Sequence, residues 1–485
     1  MKPNERQCHM CREQDQVFRI ACKSASWIVT ILTLQGLLIR SGQAETPVHW
    51  WVSSSDMSQK LSPQPPLNFA AGPSDAKTTI HVDPSRTFQS ILGLGSSLEH
   101  STCYNISRLP SDQQEKVMES LVDAEMGIGM SLMRVCIGTP DFTSSGWYSY
   151  DDRPLSEADP ELKHFSIDKD KPYVLPMLKL ALQKNPHLVF FASPWSPPGW
   201  MKTSRELCGG RIDLKHFPSL ARYFVRFIEA YEAEGIKIYA ITPQNEPGYS
   251  PSSYPTCGWT AGQQRDFIRD YLGPEFQARG ISTKIWCYDH NFNNLRFPTT
   301  ILGDPGAARY VDGTAFHHYE GKPSAMTTLS DRFPDKHVYF TEGSVFGMKG
   351  AAQIVEFLRN GARSYNAWVT IIDHKGQPNP GPHDCSPTCV VLNSSNLTLD
   401  YRFDYYMYGQ FMKFIRPGAV RVHSDEPSGS LPNCAVRNPD GSIVLVVVNR
   451  KAQPSVLDIE WNNTHLTSEI RGNSVATYRW DGSSD

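Results

Sequence analysis

Eight short apolar runs alternate with amphipathic stretches over roughly 300 residues, and few architectures accept that order. The runs are Ile91-Leu92-Gly93-Leu94-Gly95, Ser131 to Cys136, Leu188 to Ala192 and Ile236 to Ile241, then those ending at Asp289, at His317 and at Phe340, and last Ala367 to Ile372. Each is short, β-branched or aromatic, and apolar on both faces, as a buried parallel strand requires. Between them Gln113 to Leu121, Pro176 to Gln183, Leu220 to Glu234, Gln264 to Leu272 and Ala352 to Asn360 carry helical periodicity. The order predicts an α/β fold, a (β/α)8 TIM barrel over residues 91–416. A doubly wound sheet is the alternative. Its dinucleotide fingerprint is missing, because Gly93-x-Gly95 is followed by Ser96, Ser97 and Leu98 without a third glycine.

After Tyr405 to Phe414, the last helical stretch, the pattern changes to period two. Ala419 to Val422, Ser442 to Val448, Val456 to Ile459 and Val475 to Tyr478 read as strands, with Asn438-Pro439-Asp440-Gly441 as a hairpin turn. These predict an all-β sandwich over 417–482, completed by 78–90 ahead of the barrel. The Pro/Ser-rich stretch inside 45–77 reads as a linker or loose arm. Residues 1–44 hold a polar, mostly basic start, the apolar run Trp27 to Ile39, and small residues at Gly42 and Ala44. That is the layout of a signal peptide, or of an uncleaved signal anchor, and it predicts export to an extracellular, periplasmic or lysosomal space.

Composition removes some function classes. A net charge of −3 leaves no basic excess for a nucleic-acid surface. Three of the 11 cysteines precede Ala44. The even remainder permits disulfides, with Cys385 and Cys389 the best pair and Cys136 and Cys287 expected as buried thiols. Cys8-His9-Met10-Cys11 has no second ligand pair nearby, so no metal is expected there. His317 and His318 are strand neighbours that point to opposite faces, so they do not share an ion.

Chemistry concentrates at two strand ends. Glu246, in Thr242-Pro243-Gln244-Asn245-Glu246-Pro247, follows the fourth run, and Glu342, in Phe340-Thr341-Glu342-Gly343, ends the seventh. In a barrel, such positions face one mouth. A protonated and an ionised carboxyl about 5 Å apart are the apparatus of retaining glycoside hydrolysis. Asn245 is placed to bind a sugar 2-hydroxyl. Arg134, on the second run, is read as neutralising a buried charge inside the barrel.

These segments, with Ser193-Pro194-Trp195-Ser196-Pro197-Pro198-Gly199-Trp200-Met201-Lys202-Thr203, resemble glycoside hydrolase family 30, most closely its glucosylceramidase branch. The resemblance runs from Phe88 to Trp480. It implies a (β/α)8 barrel with an attached sandwich and retention without metal or other cofactor. Glu246 would then be the acid/base and Glu342 the nucleophile, and Asp141, Trp195, Asn245, Tyr319, Trp368 and Asn379 would bind substrate, with Arg134 and His317 in support. The chain departs from the branch at Pro243-Gln244, at His318 where Trp is typical, and at Gly343-Ser344. The implied substrate is a β-glucoside such as glucosylceramide, a glycolipid that would bring the protein to a membrane surface. An endo-β-1,6-glucanase or another β-glycosidase of the family is the alternative. A non-catalytic carbohydrate-binding protein on the same scaffold is the reading from a different class.

Overall fold

A computed structural model describes residues 47–74, 78–384, 388–426 and 431–482. The expected signal segment and the partner Cys385 lie outside these residues. Counting round the barrel, its strands are β1 (Gly93–Gly95), β2 (Leu132–Cys136), β3 (Val189–Ser193), β4 (Ile238–Ile241), β5 (Lys284–Asn291), β6 (Val311–His317), β7 (His337–Glu342) and β8 (Ser364–Asn366). Strands β2 to β7 pair in order, all parallel, and β1 pairs with β8. Parallel bridges from Ser97 to Arg134, and from Val338 to Ala362 and Gly343 to Ala367, close the ring. The eighth strand is therefore Ser364–Asn366. Of the expected run Ala367 to Ile372, Ala367 still bridges Gly343 at the barrel rim, but the rest leaves the barrel, and Ile371–Asp373 pairs with Val390–Asn393 in a separate three-stranded sheet.

Inside the barrel Leu132, Phe191, Ala240, Trp286, Ala315 and Tyr339 form one apolar layer from six strands. Trp286 and Tyr339 stack with centroids 3.9 Å apart. Residues one position away on the same strands, Met133, Phe190, Ile241, Phe316 and Phe340, join the larger core beneath the helices. Helix Phe217–Ala233 meets that core with Leu220, Phe224, Phe227 and Tyr231, spaced four, three and four residues apart along one face. Pro218 starts it, where a missing N–H costs nothing.

The arm expected over 45–77 is instead part of the sandwich where it is described. Pro47–Ser54 pairs antiparallel with Ser474–Trp480, because Val48 and Val52 alternate into the sandwich core while Trp50 stacks on Tyr478 and Trp51 packs on Phe414. Proline and serine in the following residues masked that alternation. Thr79–Ser90 joins the same sheet system, parallel to Ser455–Trp461 at one end and antiparallel to Val420–Ser424 at the other. Strand Ile443–Asn449 is buried on both faces: Ile443, Leu445 and Val447 fill the sandwich, while Val444, Val446 and Val448 belong to the barrel-side core. Full burial of each such valine stabilises by roughly 1.5–3 kcal/mol. Cys103, Cys136, Cys208, Cys257, Cys287 and Cys434 are free thiols. No helix among the described residues is long and apolar enough to cross a membrane.

Just past β1, Glu99 is fully buried and caps helix His100–Ser107, accepting from the Thr102 N–H at 2.6 Å and the Ser97 hydroxyl at 2.7 Å. Burial outweighs these bonds and pushes its carboxyl up from 4.5 to about 7. A raised carboxyl contributes stability that is complete below 4.5 and lost as pH rises through about 7. Glu99→Gln should therefore match the parent in thermal melts at the acid end of that window. Above it the variant should be more stable, by on the order of 2–3 kcal/mol.

Candidate active site

The C-terminal strand ends open onto one cavity of about 640 Å³. Its floor follows from the apolar layer by counting two residues along each strand. Leu132 leads to Arg134, Phe191 to Ser193, Ala240 to Thr242, Ala315 to His317 and Tyr339 to Thr341, so hydrocarbon gives way to polar side chains at one level. Strand β5 breaks the count. Its pairing with β6 slips between Tyr288 and His290, and Tyr288 and Asp289 take φ of +76° and +68°. This bulge turns Asp289 inward, three residues after Trp286.

Asp289 is the centre of the floor. Its Oδ2 accepts from Arg134 Nη2 at 2.9 Å, Ser193 Oγ at 2.9 Å and Thr242 Oγ1 at 2.7 Å. Its Oδ1 accepts from Thr341 Oγ1 at 2.7 Å and meets His317 Nε2 at 3.0 Å. Burial would raise this carboxyl, but Arg134 and His317 outweigh it and hold it well below the usual range. Arg134, fully buried, also donates to Glu342 and, at 2.8 Å, to the Asn245 Oδ1. Its guanidinium lies 4.7 Å from the Trp195 ring, which stacks on Trp368 at 4.8 Å.

Glu342 is held from two sides, by Arg134 and by the Tyr319 hydroxyl at 2.8 Å. Glu246 sits at φ +48°, pinned by its N–H to the Asp289 carbonyl at 3.0 Å. Backbone in that region is costly for a non-glycine residue and is found where position matters more than comfort. His317 Nδ1 lies 3.0 Å from Glu246 Oε1 and 3.8 Å from Glu342 Oε1. The two oxygens are thus no more than about 7 Å apart, a limit that contains the about 5 Å of a retaining pair. Burial opposes charge on His317, but Glu342 and Asp289 outweigh it and lift its pKa to about 10. Burial likewise pushes Glu246 up, but His290 and His317 overcome it and hold the carboxyl below its ordinary value. Asp141 goes the other way. Burial, then the charge of Glu342, keeps its carboxyl well above the usual range.

Asp141, Trp195, Asn245, Glu246, Tyr319, Glu342 and Trp368 all line the cavity, over the floor of Arg134 and His317. Asn379 is not among the lining residues. Its side chain is used within its own turn, donating to the His383 carbonyl at 2.6 Å and accepting from the Gly381 N–H at 3.0 Å. That turn packs Gly381 against Asp141, where an added Cβ would come within 2.7 Å of the Asp141 Cβ, so Asn379 bears on the site only by bracing it. Asp289 is not among the site residues expected from sequence, although a carboxylate ending an apolar strand run is the signal that singles out Glu342.

Residues 91–377 match the glycosyl hydrolase family 30 TIM-barrel domain, and 418–478 match that family's β-sandwich domain. The chain belongs to glycosyl hydrolase family 30. An endo-1,6-β-D-glucanase of Neurospora crassa is 32% identical over 480 residues, covering 93% of this chain and 98% of that protein. A putative glucosylceramidase 4 of Caenorhabditis elegans is 31% identical, covering 83% of this chain and 84% of that one. Among solved structures, the endo-β1,6-glucanase BT3312 superposes with a TM-score of 0.82 at 28% identity, over 90% of this chain and 100% of that one. This family 30 protein is a glycosidase, and the family works with retention of anomeric configuration.

Two departures from the glucosylceramidase branch belong together in space. A Cβ on Gly343 would come within 2.5 Å of Phe340 Cζ and 2.6 Å of His318 Nδ1, so glycine here accommodates the outward-facing His318. Gly343→Ala should displace the adjoining Glu342 and lower kcat about tenfold or more with the fold retained, as read by circular dichroism beside a rate assay. Asp289→Asn removes the charge that faces Arg134 and His317. The variant should lose about 3 kcal/mol or more of stability in denaturant titration, because two buried cations lose their shared partner.

Proposed function

We propose that this hydrolase cleaves β-1,6-linked glucans or gluco-oligosaccharides with retention, Glu246 acting as acid/base and Glu342 as nucleophile. One observation carries the choice of substrate class: among the described residues, no leucine, isoleucine, valine or methionine lines the cavity. The wall is aromatic and polar, with Phe142, Trp195, Tyr249, Tyr254, Tyr319 and Trp368 beside Asn291, Asn293, Asn294, Glu320 and Asp384. Aromatic faces and amide groups suit sugar rings on both sides of the scissile bond. The hydrocarbon tails of a ceramide would find no aliphatic groove here. The relatives named as endo-1,6-β-glucanases point the same way.

The reaction then follows from the floor. Arg134 and Tyr319 hold Glu342 in place and aimed, so its oxygen attacks the anomeric carbon as the glycosidic bond breaks. The leaving oxygen takes a proton from Glu246. That proton is drawn from the hydrogen bond shared with His317 Nδ1, 3.0 Å away. In the second step Glu246 takes a proton from water, and the hydroxide oxygen releases the sugar from Glu342. Asn245, oriented by Arg134, meets the 2-hydroxyl, and Asp141 on the cavity wall meets another hydroxyl. We place the enzyme in an exported compartment on the strength of the apolar run Trp27 to Ile39, where a polymeric glucan is accessible.

Incubation with β-1,6-glucan, β-1,3-glucan, glucosylceramide and an aryl β-glucoside tests the reading. β-1,6-Glucan should be the fastest of the polymers and faster than glucosylceramide; a preference for glucosylceramide would overturn the substrate class. Glu342→Gln should abolish turnover of every substrate. Glu246→Gln should cost about 10²–10⁴ on glucan and much less on an aryl glucoside, whose leaving group needs little protonation.

A further inference from the structure

Two histidines converge on the carboxylate assigned to proton transfer. His317 Nδ1 lies 3.0 Å and His290 Nδ1 3.6 Å from Glu246 Oε1, and the three atoms lie within 4.8 Å of one another. From these contacts we infer that Glu246, His290 and His317 form a binding site for one divalent transition-metal cation of the zinc type, which excludes substrate while bound. A tetrahedral ion with bonds of about 2.1 Å spaces its ligands about 3.4 Å apart, close to the two contacts on Glu246. Two imidazoles and a carboxylate are a zinc donor set that leaves a fourth position open, here toward the cavity.

Two further observations separate this cluster from a chance meeting of polar groups. His290 Nδ1 is buried and stands 3.6 Å from Glu246 Oε1, beyond ordinary hydrogen-bond length, so a bound ion would draw the two groups onto one centre. His317 meets Asp289 with its other nitrogen at 3.0 Å, and Asp289 is itself fixed by Arg134, Ser193, Thr242 and Thr341. A carboxylate on the far nitrogen of a ligating histidine orients the ring and sets its tautomer. The adjoining His318 packs outward near Phe340 and Phe357 and takes no part. Binding of the ion replaces the proton between His317 and Glu246 and occupies the oxygen that faces the leaving group. That consequence rests on the acid/base role proposed for Glu246; the binding itself does not.

Calorimetric titration of the full chain with Zn²⁺ should show one equivalent bound in the micromolar range and removed by a chelator. Co²⁺ in its place should give the intense visible absorption of a four-coordinate site. His290→Ala should weaken Zn²⁺ binding at least tenfold, with Glu246→Gln as a second variant should the first fail to fold. His423→Gln, on the sandwich surface, should bind as the parent does. Absence of stoichiometric binding, or equal binding by both site variants, overturns the site. In rate assays on an aryl β-glucoside, Zn²⁺ should raise KM with kcat unchanged. Full activity at saturating Zn²⁺ would overturn the exclusion of substrate. A parent chain inactive on all β-glucosides would instead overturn the proposed function and leave the metal titration standing.

Discussion

One buried carboxylate holds this site together. Asp289 takes donors from β2, β3, β5's neighbour β6, β7 and the loop after β4, so five segments of the ring converge on two oxygens. An isolated charge in that position would be prohibitive; paired with Arg134 and His317 and fully hydrogen-bonded, it becomes the fixed point from which the others are aimed. Arg134 reaches Glu342 and Asn245 only because Asp289 holds part of its guanidinium, and His317 reaches Glu246 with the nitrogen Asp289 leaves over. The active carboxylates inherit their positions from a residue that does not line the cavity.

That fixed point rests on hydrocarbon. The layer of Leu132, Phe191, Ala240, Trp286, Ala315 and Tyr339 fills the barrel beneath it, and a close-packed layer deforms little. Two residues further along the five strands other than β5 the side chains become polar, so the polar floor rests directly on an apolar layer. The exception on β5 matters most: a regular strand would send Tyr288 inward and Asp289 outward. Left-handed backbone at both residues reverses that, and it stands at the site it serves.

The sandwich is joined to the barrel through a strand with two apolar faces. Ile443–Asn449 gives alternate residues to each core, and Pro47–Ser54 ties the chain's early residues to the same sheet while Ser53 accepts from Gln410 on helix Phe403–Met412. Apolar area shared in this way couples the two layers more firmly than a flexible linker would. Val48, Trp50 and Val52 supplied the alternation in sequence, but the prolines and serines after them concealed it.

Local pattern determined most of the architecture. Strand runs that are apolar on both faces have to be covered by helices, and the helical periodicity between them supplies the cover, so the barrel and the positions of Glu246 and Glu342 at strands four and seven follow from order alone. Short-range alternation likewise separates His317 from His318. What only the tertiary structure decided are the features that depend on contacts between distant segments. Ser364–Asn366 becomes the eighth strand because it meets Gly93–Gly95, a pairing no local run predicts. Asn379 stays in its own turn because its donors and acceptor are satisfied there. Asp289 faces inward, and His290 reaches Glu246, because a bulge against β6 overrides the period of two. Sequence periodicity fixes which face a residue shows when the strand is regular, but the energy that bends a strand comes from its neighbours.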